Sequence, residues 1–354
     1  MCNLFNINCK QDNHFNYKWF LKDGFPQSKD DFIKKNDYRV FGTFISGGGS
    51  SLGYKLAGFN HLGGVEYNKK IADMYKENLN PKYLFIEDIR EFNKRDYLPK
   101  ELYNLDILDG SPPCTTFSTS GLREKVFGVK KKFSEGGKEQ TLDDLVFVYA
   151  DNILKLKPKV FLFENVKGLL FSYSKNHLTK FENIVTKEYT IFKFLLNGMD
   201  MGLPQSRERC FIIGVNKKYN IDFFNLNYKE KHISFEDVID HSDQECNLTS
   251  YALELWNNAK CGEPVGKFKT RKKLFLHKPS FTLTCRELYH SLYPRKLNKK
   301  EKLLLSSLPL DYKFNTKGQV NFLTGMCVPP LMIANIAYQI KIQILDKIYG
   351  KQKK

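Results

Sequence analysis

The sequence predicts an α/β fold, in which helices cover both faces of a parallel sheet. From Tyr38 to about residue 215, short runs rich in β-branched and aromatic residues alternate with segments of helical periodicity. From about 216 to 300 this alternation fades, and the chain becomes Lys-rich with few periodic segments. We therefore expect one α/β body, a smaller irregular region, and a C-terminal helix that returns to the body.

The alternating elements follow one another in order along the chain. Strands are predicted at Tyr38–Ile45, His61–Val65, Tyr83–Ile86, Leu105–Leu108, Val160–Phe163 and Phe211–Val215. Helices are predicted at Ser50–Phe59, Asn68–Leu79, Thr141–Lys157 and Leu331–Ile348. The third of these helices has Thr141 and Asp144 at the spacing of a capping box and ends before Pro158.

The composition narrows the class of protein. The chain has 354 residues, with 56 Lys and Arg against 39 Asp and Glu, so its formal net charge is +17. This excess favours a polyanionic partner such as nucleic acid, although a solvated Lys-rich surface would give the same balance. A hydrophobic fraction of 42% excludes a disordered or collagen-like chain.

Cysteine usage and hydropathy predict the compartment. The eight cysteines are scattered and form no CxxC pair, which argues against a zinc site and a disulfide framework. No apolar run approaches the roughly 18 residues of a membrane span, and the N-terminus lacks the regions of a signal peptide. We therefore expect a cytoplasmic protein without a resident metal or a membrane partner.

The first motif is the glycine turn Gly47–Gly49, which follows the first strand. Such a turn lets a ligand approach backbone N–H groups closely. Glu66 ends the next strand, where a carboxylate can bind a ribose, and Asp88 follows the third strand, where an adenine edge could be read. The GxGxxG spacing is not matched, so a nucleoside cofactor is favoured over NAD and an oxidoreductase is disfavoured. A simple tight turn and an ordinary loop carboxylate are the alternatives.

The second and third motifs end neighbouring predicted strands. In Asp109–Cys114, Pro112 and Pro113 fix the backbone, so Cys114 is presented rigidly at the carboxyl edge of the sheet. A thiol there is a candidate nucleophile, with a buried structural cysteine as the alternative. Glu164 ends the next strand, so the two strand ends would bring a nucleophile beside a general acid.

The fourth motif is Gln205-Ser206-Arg207-Glu208-Arg209, which leads into the last predicted strand. Strand alternation would place Gln205, Arg207 and Arg209 on one side. Two guanidinium groups on one face suit an anion or a polar base edge, and a solvated strand entry is equally compatible.

Taken in order, these motifs resemble those of the DNA (cytosine-5) methyltransferases, and the resemblance runs from about Tyr38 to Ile348. The motifs that carry it are Gly48-Gly49-x-x-Leu52-Gly53 with Ala57-Gly58-Phe59, Asp109–Cys114, Glu164-Asn165-Val166, Gln205-x-Arg207-x-Arg209, Arg295-x-Leu297 with Glu301 and Leu308-Pro309, and Gly325–Pro330. Two positions depart from the family pattern. Ser46 stands at the first glycine of the usual FxGxGG turn, and Met326 stands where Asn is usual.

The resemblance implies a Rossmann-like, S-adenosylmethionine-dependent methyltransferase sheet with a second, smaller, irregular target-recognition domain. The implied parts are an N-terminal extension at 1–37, a catalytic and cofactor domain at 38–215, a target-recognition domain at 216–305, and a C-terminal segment at 306–354 that returns to the catalytic domain. The implied cofactor residues are Phe44, Gly47, Gly48, Gly49, Leu52, Glu66, Asp88, Ile89, Pro112 and Val328.

The implied reaction transfers a methyl group from S-adenosylmethionine to C5 of a flipped-out cytosine in a specific double-stranded DNA sequence. Cys114 would attack C6 and form a covalent intermediate, Glu164 would hold or protonate N3, and Arg207 and Arg209 would orient the base. DNA contacts would come from the loop after the nucleophile and from the basic run Lys267–Lys278. The residues implied are Ser118, Arg123, Lys267, Lys269, Arg271, Lys272 and Lys273.

Two alternatives remain open at this level. The tRNA-methylating branch of the family carries a Cys-Phe-Thr signature, whereas Cys246, Cys261 and Cys285 are followed by Asn, Gly and Arg. A catalytically silent DNA-binding protein on this fold would lack Cys114 or Glu164, and both are present. We expect a monomer whose partner is double-stranded DNA, with a restriction endonuclease as a functional, not physical, partner in a bacterial cell or phage-infected host.

Overall fold

A seven-stranded sheet forms the centre of the protein, seen in a computed structural model that describes residues 36–113, 144–170 and 175–352. The spatial order of the strands is β3-β2-β1-β4-β5-β7-β6. Their bounds are β1 Arg39–Thr43, β2 Asn60–Val65, β3 Tyr83–Phe85, β4 Ile107–Gly110, β5 Val160–Val166, β6 Tyr189–Asn197 and β7 Glu208–Asn216. The predicted α/β class is confirmed, and the six predicted strands all occur with small shifts at their ends.

The sheet is mixed, so the expectation of a purely parallel sheet was wrong. Strands β1 to β5 pair in parallel, whereas β7 is antiparallel to both β5 and β6. The physical reason is the short connection between β6 and β7, since a parallel crossover needs a dozen or more residues. Strand β6 itself is absent from the sequence-based prediction.

Helices cover both faces of the sheet. Their bounds are α1 Gly49–Leu56, α2 Lys69–Leu79, α3 Ile89–Lys94, α4 Leu145–Leu156, α5 Lys175–Val185, α6 Ser250–Asn258, α7 Lys299–Leu305, α8 Lys317–Met326, α9 Pro330–Ile340 and α10 Asp346–Gln352. Short 3₁₀ turns lie at Lys100–Tyr103, Lys167–Leu170, Gly198–Met201, Lys217–Tyr219 and Phe235–Val238. Side chains alternate along the strands, so Val40 joins one buried apolar cluster and its neighbour Phe41 joins the other.

Helix α4 begins later than predicted. It starts at Leu145, with Asp144 at the N-cap position but with no side-chain cap, and residues 141–143 lie outside the described residues. Asp144 instead accepts a hydrogen bond of 2.6 Å from the guanidinium of Arg90. The helix ends at Leu156, because Lys157 adopts a left-handed conformation directly before Pro158.

The C-terminal segment packs against the α/β body. Helix α9 packs on α1 so closely that a Cβ atom at Gly53 would lie 2.5 Å from the carbonyl oxygen of Pro330. By length and composition, Lys317–Gly350 could cross a membrane, but 78% of its apolar window is buried inside the fold. That burial is typical of a core helix.

The region from 216 to 298 has little regular structure beyond α6. Its end is fixed by an ion pair in which the Arg295 guanidinium donates two hydrogen bonds of 2.8 Å to the two carboxylate oxygens of Glu301. Burial opposes ionisation of Glu301, but the hydrogen bonds and charge of Arg295 outweigh this effect and lower the pKa of Glu301 to about 2.

The division of the chain into four parts, at 1–37, 38–215, 216–305 and 306–354, stays a prediction.

Candidate active site

A cavity opens at the carboxyl ends of β1, β2 and β3, where α/β sheets bind ligands. Six of the predicted cofactor residues line it, namely Phe44, Gly49, Glu66, Asp88, Ile89 and Val328. Ser46 and Met326, the two positions that depart from the family pattern, also line it, together with Asn68, Ser111, Leu145 and Phe322, which the sequence did not predict as cofactor contacts. Among these, Phe322 and Met326 stand four residues apart on α8, a helical spacing that brings both to one wall.

The glycine turn has a backbone that favours glycine. Ser46 has φ of +48° and Gly48 has φ of +91°, both in the left-handed region. A Cβ atom at Gly47 would lie 2.4 Å from Leu323, and one at Gly49 would lie 2.3 Å from the carbonyl oxygen of Val328. The turn is thus packed directly against the C-terminal segment.

The remaining predicted cofactor residues lie beside the cavity without lining it. Gly47 and Gly48 contact side chains of the core, and Leu52 is fully buried in α1. Pro112 is also buried, and its carbonyl oxygen accepts a hydrogen bond of 3.1 Å from the side-chain amide of Asn165. This bond ties the Pro-Cys segment to the end of β5.

Glu66 is a buried carboxyl group at the end of β2. It accepts hydrogen bonds from the backbone N–H groups of Ser46 at 3.0 Å and Asn68 at 2.9 Å. Burial raises the pKa of Glu66 to about 7, and these hydrogen bonds oppose the rise. Asp88 caps α3 by accepting a hydrogen bond of 2.8 Å from the backbone N–H of Arg90.

Glu164 stands at the end of β5, next to β4, whose residue Gly110 pairs with Phe163. The alternation of elements therefore correctly predicted that the strand ends after Leu108 and Phe163 are neighbours. The Nε atom of Arg209 lies 3.1 Å from the Oε1 atom of Glu164. Burial raises the pKa of Glu164, and the charges of Arg209 and Arg207 oppose the rise. Cys114 lies outside the described residues.

Arg207 has different surroundings from those expected. Its side chain is 1% exposed, and its guanidinium donates to the carbonyl oxygens of Leu283 at 2.9 Å, Gly325 at 2.9 Å and Cys327 at 2.8 Å. Gln205 also bonds to main chain, accepting from the N–H of Leu283 at 3.0 Å. Arg209 lies against Glu164, while Arg207 holds together two distant backbone segments, at Leu283 and at Gly325–Cys327.

The basic run Lys267–Lys278 is divided in a similar way. Lys267 and Lys269 are exposed, and Arg271 packs on the ring of Phe268 with 4.5 Å to its centroid. Lys272 lies over Phe281, with 4.6 Å to the ring centroid. Ser118 and Arg123, the other predicted DNA contacts, lie outside the described residues.

Lys273 does not fit the expectation of a DNA contact. It is 8% exposed, its Nζ lies 3.5 Å from the ring centroid of Trp256, and it donates to the Trp256 carbonyl oxygen at 3.2 Å. Burial lowers its pKa. This segment has no regular secondary structure, so its sequence has no periodic pattern that would indicate which of its basic residues are buried.

The sequence profile of the C-5 cytosine-specific DNA methylases matches residues 38–263. The chain belongs to this family. Among curated members, it is 35% identical over 190 residues to the type II methyltransferase M.Sau96I of Staphylococcus aureus, covering 52% of this chain and 40% of that protein. It is 27% identical over 333 residues to M.AplI of Arthrospira platensis, covering 87% of each. The matches span 40% and 50% of the first two curated relatives, M.Sau96I and M.FnuDI.

Solved structures of methyltransferases share the fold. A putative DNA modification methyltransferase encoded within an E. coli prophage superposes with a TM-score of 0.70 at 19% identity, covering 87% of this chain and all of that one. A DNMT2 mutant of Spodoptera frugiperda gives a TM-score of 0.60 at 18% identity, covering 88% of this chain and all of that one. The Rossmann-like methyltransferase architecture is therefore confirmed.

Proposed function

We propose that this chain methylates C5 of cytosine in a specific double-stranded DNA sequence, using S-adenosylmethionine as the methyl donor. The observation that carries the proposal is the buried Glu164, paired with Arg209 beside the strand end from which the Pro-Cys segment leaves. Membership in the family supports the same reaction. The roles of individual residues below are part of this proposal.

Glu164 would act as the acid toward the pyrimidine ring. Its burial raises its pKa, which shifts the carboxyl group toward the protonated form that would donate to N3 of cytosine. Arg209 lies against the same carboxyl group, so it would fix the orientation of the acid and stabilise the carboxylate left after proton transfer. A protonated or hydrogen-bonded N3 withdraws electrons from the ring and makes C6 open to attack.

Cys114 would be the nucleophile. Its thiolate would form a bond to C6, which converts C5 into an enamine-like carbon able to take a methyl group. S-adenosylmethionine supplies an electrophilic methyl group when it is bound. Removal of the C5 proton and departure of the Cys114 thiolate would then regenerate the aromatic ring as 5-methylcytosine. The target base must leave the helix stack for this chemistry, at a cost of a few kcal/mol.

The cavity fits a nucleoside cofactor. Glu66 offers a carboxyl group for ribose hydroxyls, Asp88 and Ile89 offer a polar and an apolar contact for an adenine, and Gly49 keeps the backbone of the turn accessible. The hydroxyl of Ser46 is buried with no hydrogen-bond partner among the described residues. An unpaired buried hydroxyl beside a cavity is expected where a polar ligand supplies the missing partner.

DNA binding would draw on the exposed part of the basic run. Lys267, Lys269 and Arg271 are placed for phosphate contacts, which supply affinity and register without reading sequence. Lys273 is excluded from this set by its burial. We propose a monomer that modifies cellular or phage DNA in the cytoplasm, with a restriction endonuclease acting on the same sequence where one is encoded.

Bisulfite sequencing of DNA from cells that express the chain tests the reaction and identifies the target sequence together. We expect 5-methylcytosine at one short sequence throughout the genome. In a parallel assay, the purified chain is incubated with labelled S-adenosylmethionine and either DNA or total tRNA. Label in tRNA alone would favour the tRNA-methylating branch, and no label in either substrate would favour a silent DNA-binding protein.

A further inference from the structure

Ser46 occupies a backbone conformation that disfavours its side chain. It lies in the turn between β1 and α1 with φ of +48°, in the left-handed region where only glycine is free of steric penalty. A glycine at this position would relieve the strain. Strain beside a cavity points to a role for the residue that carries it.

The hydroxyl of Ser46 carries a second unfavourable feature. Its Oγ atom is buried and has no hydrogen-bond partner within the described part of the chain. Burying a hydroxyl without a partner costs free energy, so a native protein normally supplies one. The ligand-free protein is therefore penalised twice at this position, once by the backbone and once by the hydroxyl.

The location of Ser46 indicates which ligand compensates. Ser46 lines the same cavity as Glu66 and Asn68, and its backbone N–H donates to Glu66 Oε2 at 3.0 Å. The backbone of Ser46 is thus joined to the carboxyl group proposed for the ribose, at the wall of the cavity. An uncharged hydroxyl can donate to an oxygen or accept from a hydroxyl or ammonium group.

We propose that the hydroxyl of Ser46 is a cofactor-binding group that forms a hydrogen bond with a polar group of S-adenosylmethionine. The inference rests on the proposed function, because that function supplies the cofactor. Two parts of the cofactor carry suitable groups near Glu66, namely the ribose and the amino-acid tail. Ser46 thereby gives this chain a contact that a glycine at the same position lacks.

The test compares Ser46→Ala with Ser46→Gly. The alanine keeps a side chain in the left-handed region and removes only the hydroxyl, whereas the glycine removes the hydroxyl and also relieves the strain. Binding of S-adenosylhomocysteine and of 5′-methylthioadenosine is measured by calorimetry on the full chain. Ser291→Ala is the matched control, because it removes another buried, unpartnered hydroxyl that does not line the cavity.

We expect both Ser46 variants to bind S-adenosylhomocysteine about five- to tenfold more weakly, as for the loss of one hydrogen bond, with Ser291→Ala unchanged. Melting of the ligand-free variants should occur no lower than in the parent, and Ser46→Gly should melt higher. Weaker binding of both ligands assigns the contact to the ribose, and weaker binding of S-adenosylhomocysteine alone assigns it to the amino-acid tail.

Two outcomes count against these ideas, and they are distinguishable. Equal affinity of the parent and Ser46→Ala for both ligands overturns the role of the hydroxyl while leaving the proposed function intact. Failure of the parent itself to bind either ligand overturns the proposed cofactor, and with it this inference.

Discussion

The Nε atom of Arg209 lies 3.1 Å from the Oε1 atom of Glu164, and most of both side chains is withdrawn from solvent. The pair joins β7 to β5 across an antiparallel register in which Arg209 opposes Val166. This geometry determines the pKa of Glu164, because burial raises the pKa of the carboxyl group and the guanidinium lowers it. We therefore expect both the proposed activity and its pH dependence to depend on Arg209.

Replacing Arg209 with Gln should raise the pKa of Glu164 further, because only Arg207 and the hydrogen bond with Ser111 then oppose the effect of burial. If the protonated carboxyl is the active form, the alkaline limb of the pH–rate profile should move to higher pH. We also expect turnover to fall by about 10- to 100-fold through lost charge stabilisation. Lys94→Gln, which breaks an exposed pair with Glu91, is the control and should leave the profile unchanged. An alkaline limb that stays in place would contradict the coupling.

Replacing Cys114 with Ala should abolish methylation and leave DNA binding intact, since the thiol is required only for the bond to C6. Cys261→Ala serves as the control, because Cys261 is exposed and has no proposed role. Methyl incorporation and gel-shift affinity are measured on the same preparations. Residual methylation by the Cys114→Ala protein would refute the covalent mechanism.

The buried carboxyl groups of Glu66 and Asp109 should make the ligand-free protein less stable as pH rises. Burial raises the pKa of each to about 7, from ordinary values of 4.5 and 3.8. The folded state then holds protons that the unfolded state has lost, so the stability that these two groups contribute is full below about pH 4, decreases up to about pH 7, and is then constant.

The size of this effect can be checked by urea unfolding between pH 5 and pH 8. Glu66→Gln should remove part of the decrease, up to about 3 kcal/mol for a shift of this size, and the Asp109 part should remain. Glu91→Gln is an exposed control. Identical slopes for the parent and Glu66→Gln would show that Glu66 is ionised at the same pH in both states.

Lys273 and Lys269 should behave differently although both belong to the basic run. Lys273→Met removes the contact of the ammonium with Trp256 and should lower the free energy of unfolding by about 1–2 kcal/mol, with little change in DNA affinity. Lys269→Met should weaken DNA binding, and the slope of log K against log salt should fall by about 0.9. If Lys273→Met changed that slope and Lys269→Met did not, Lys273 would have to leave its buried position when DNA binds.

Arg207→Met should destabilise the fold more than Arg209→Gln. The substitution leaves the carbonyl oxygens of Leu283, Gly325 and Cys327 without their donor, at a combined cost of about 3 kcal/mol or more. Because Cys327 and Val328 line the cavity, cofactor affinity should also fall. Urea midpoints and calorimetry on the two variants provide the comparison. Equal midpoints would assign Arg207 a role in the reaction rather than in the fold.

Local patterns were sufficient to predict much of the sheet but not its pairing. The strand at Phe211–Val215 was visible as an apolar run, whereas its antiparallel partner Tyr189–Asn197 includes exposed positions and lacks a clear period. Strand direction depends on the length of the connection and on tertiary packing, which no single segment encodes. The short helix Ile89–Lys94 was also not predicted.

The sequence was sufficient to predict the positions of those site residues that lie at the end of a strand. Glu66 and Glu164 lie at strand ends, so alternation and chain order were enough to place them. Arg207 and Lys273 were misinterpreted because their partners lie far away in sequence, at Cys327 and Trp256. A charged residue gives the same sequence signal in either setting, whether it contacts solvent or a buried carbonyl oxygen.

The close approach of Gly49 to the Val328 carbonyl oxygen joins two parts of the chain that are synthesised far apart in time. A nascent chain of about 300 residues already contains the glycine turn, Glu66 and Glu164 but lacks the wall formed by Phe322, Met326 and Val328. The proposed cofactor would therefore find its complete cavity only after residue 328 has been synthesised. Because a ligand stabilises only the state that binds it, the cofactor would stabilise chains that include this wall and not shorter nascent chains.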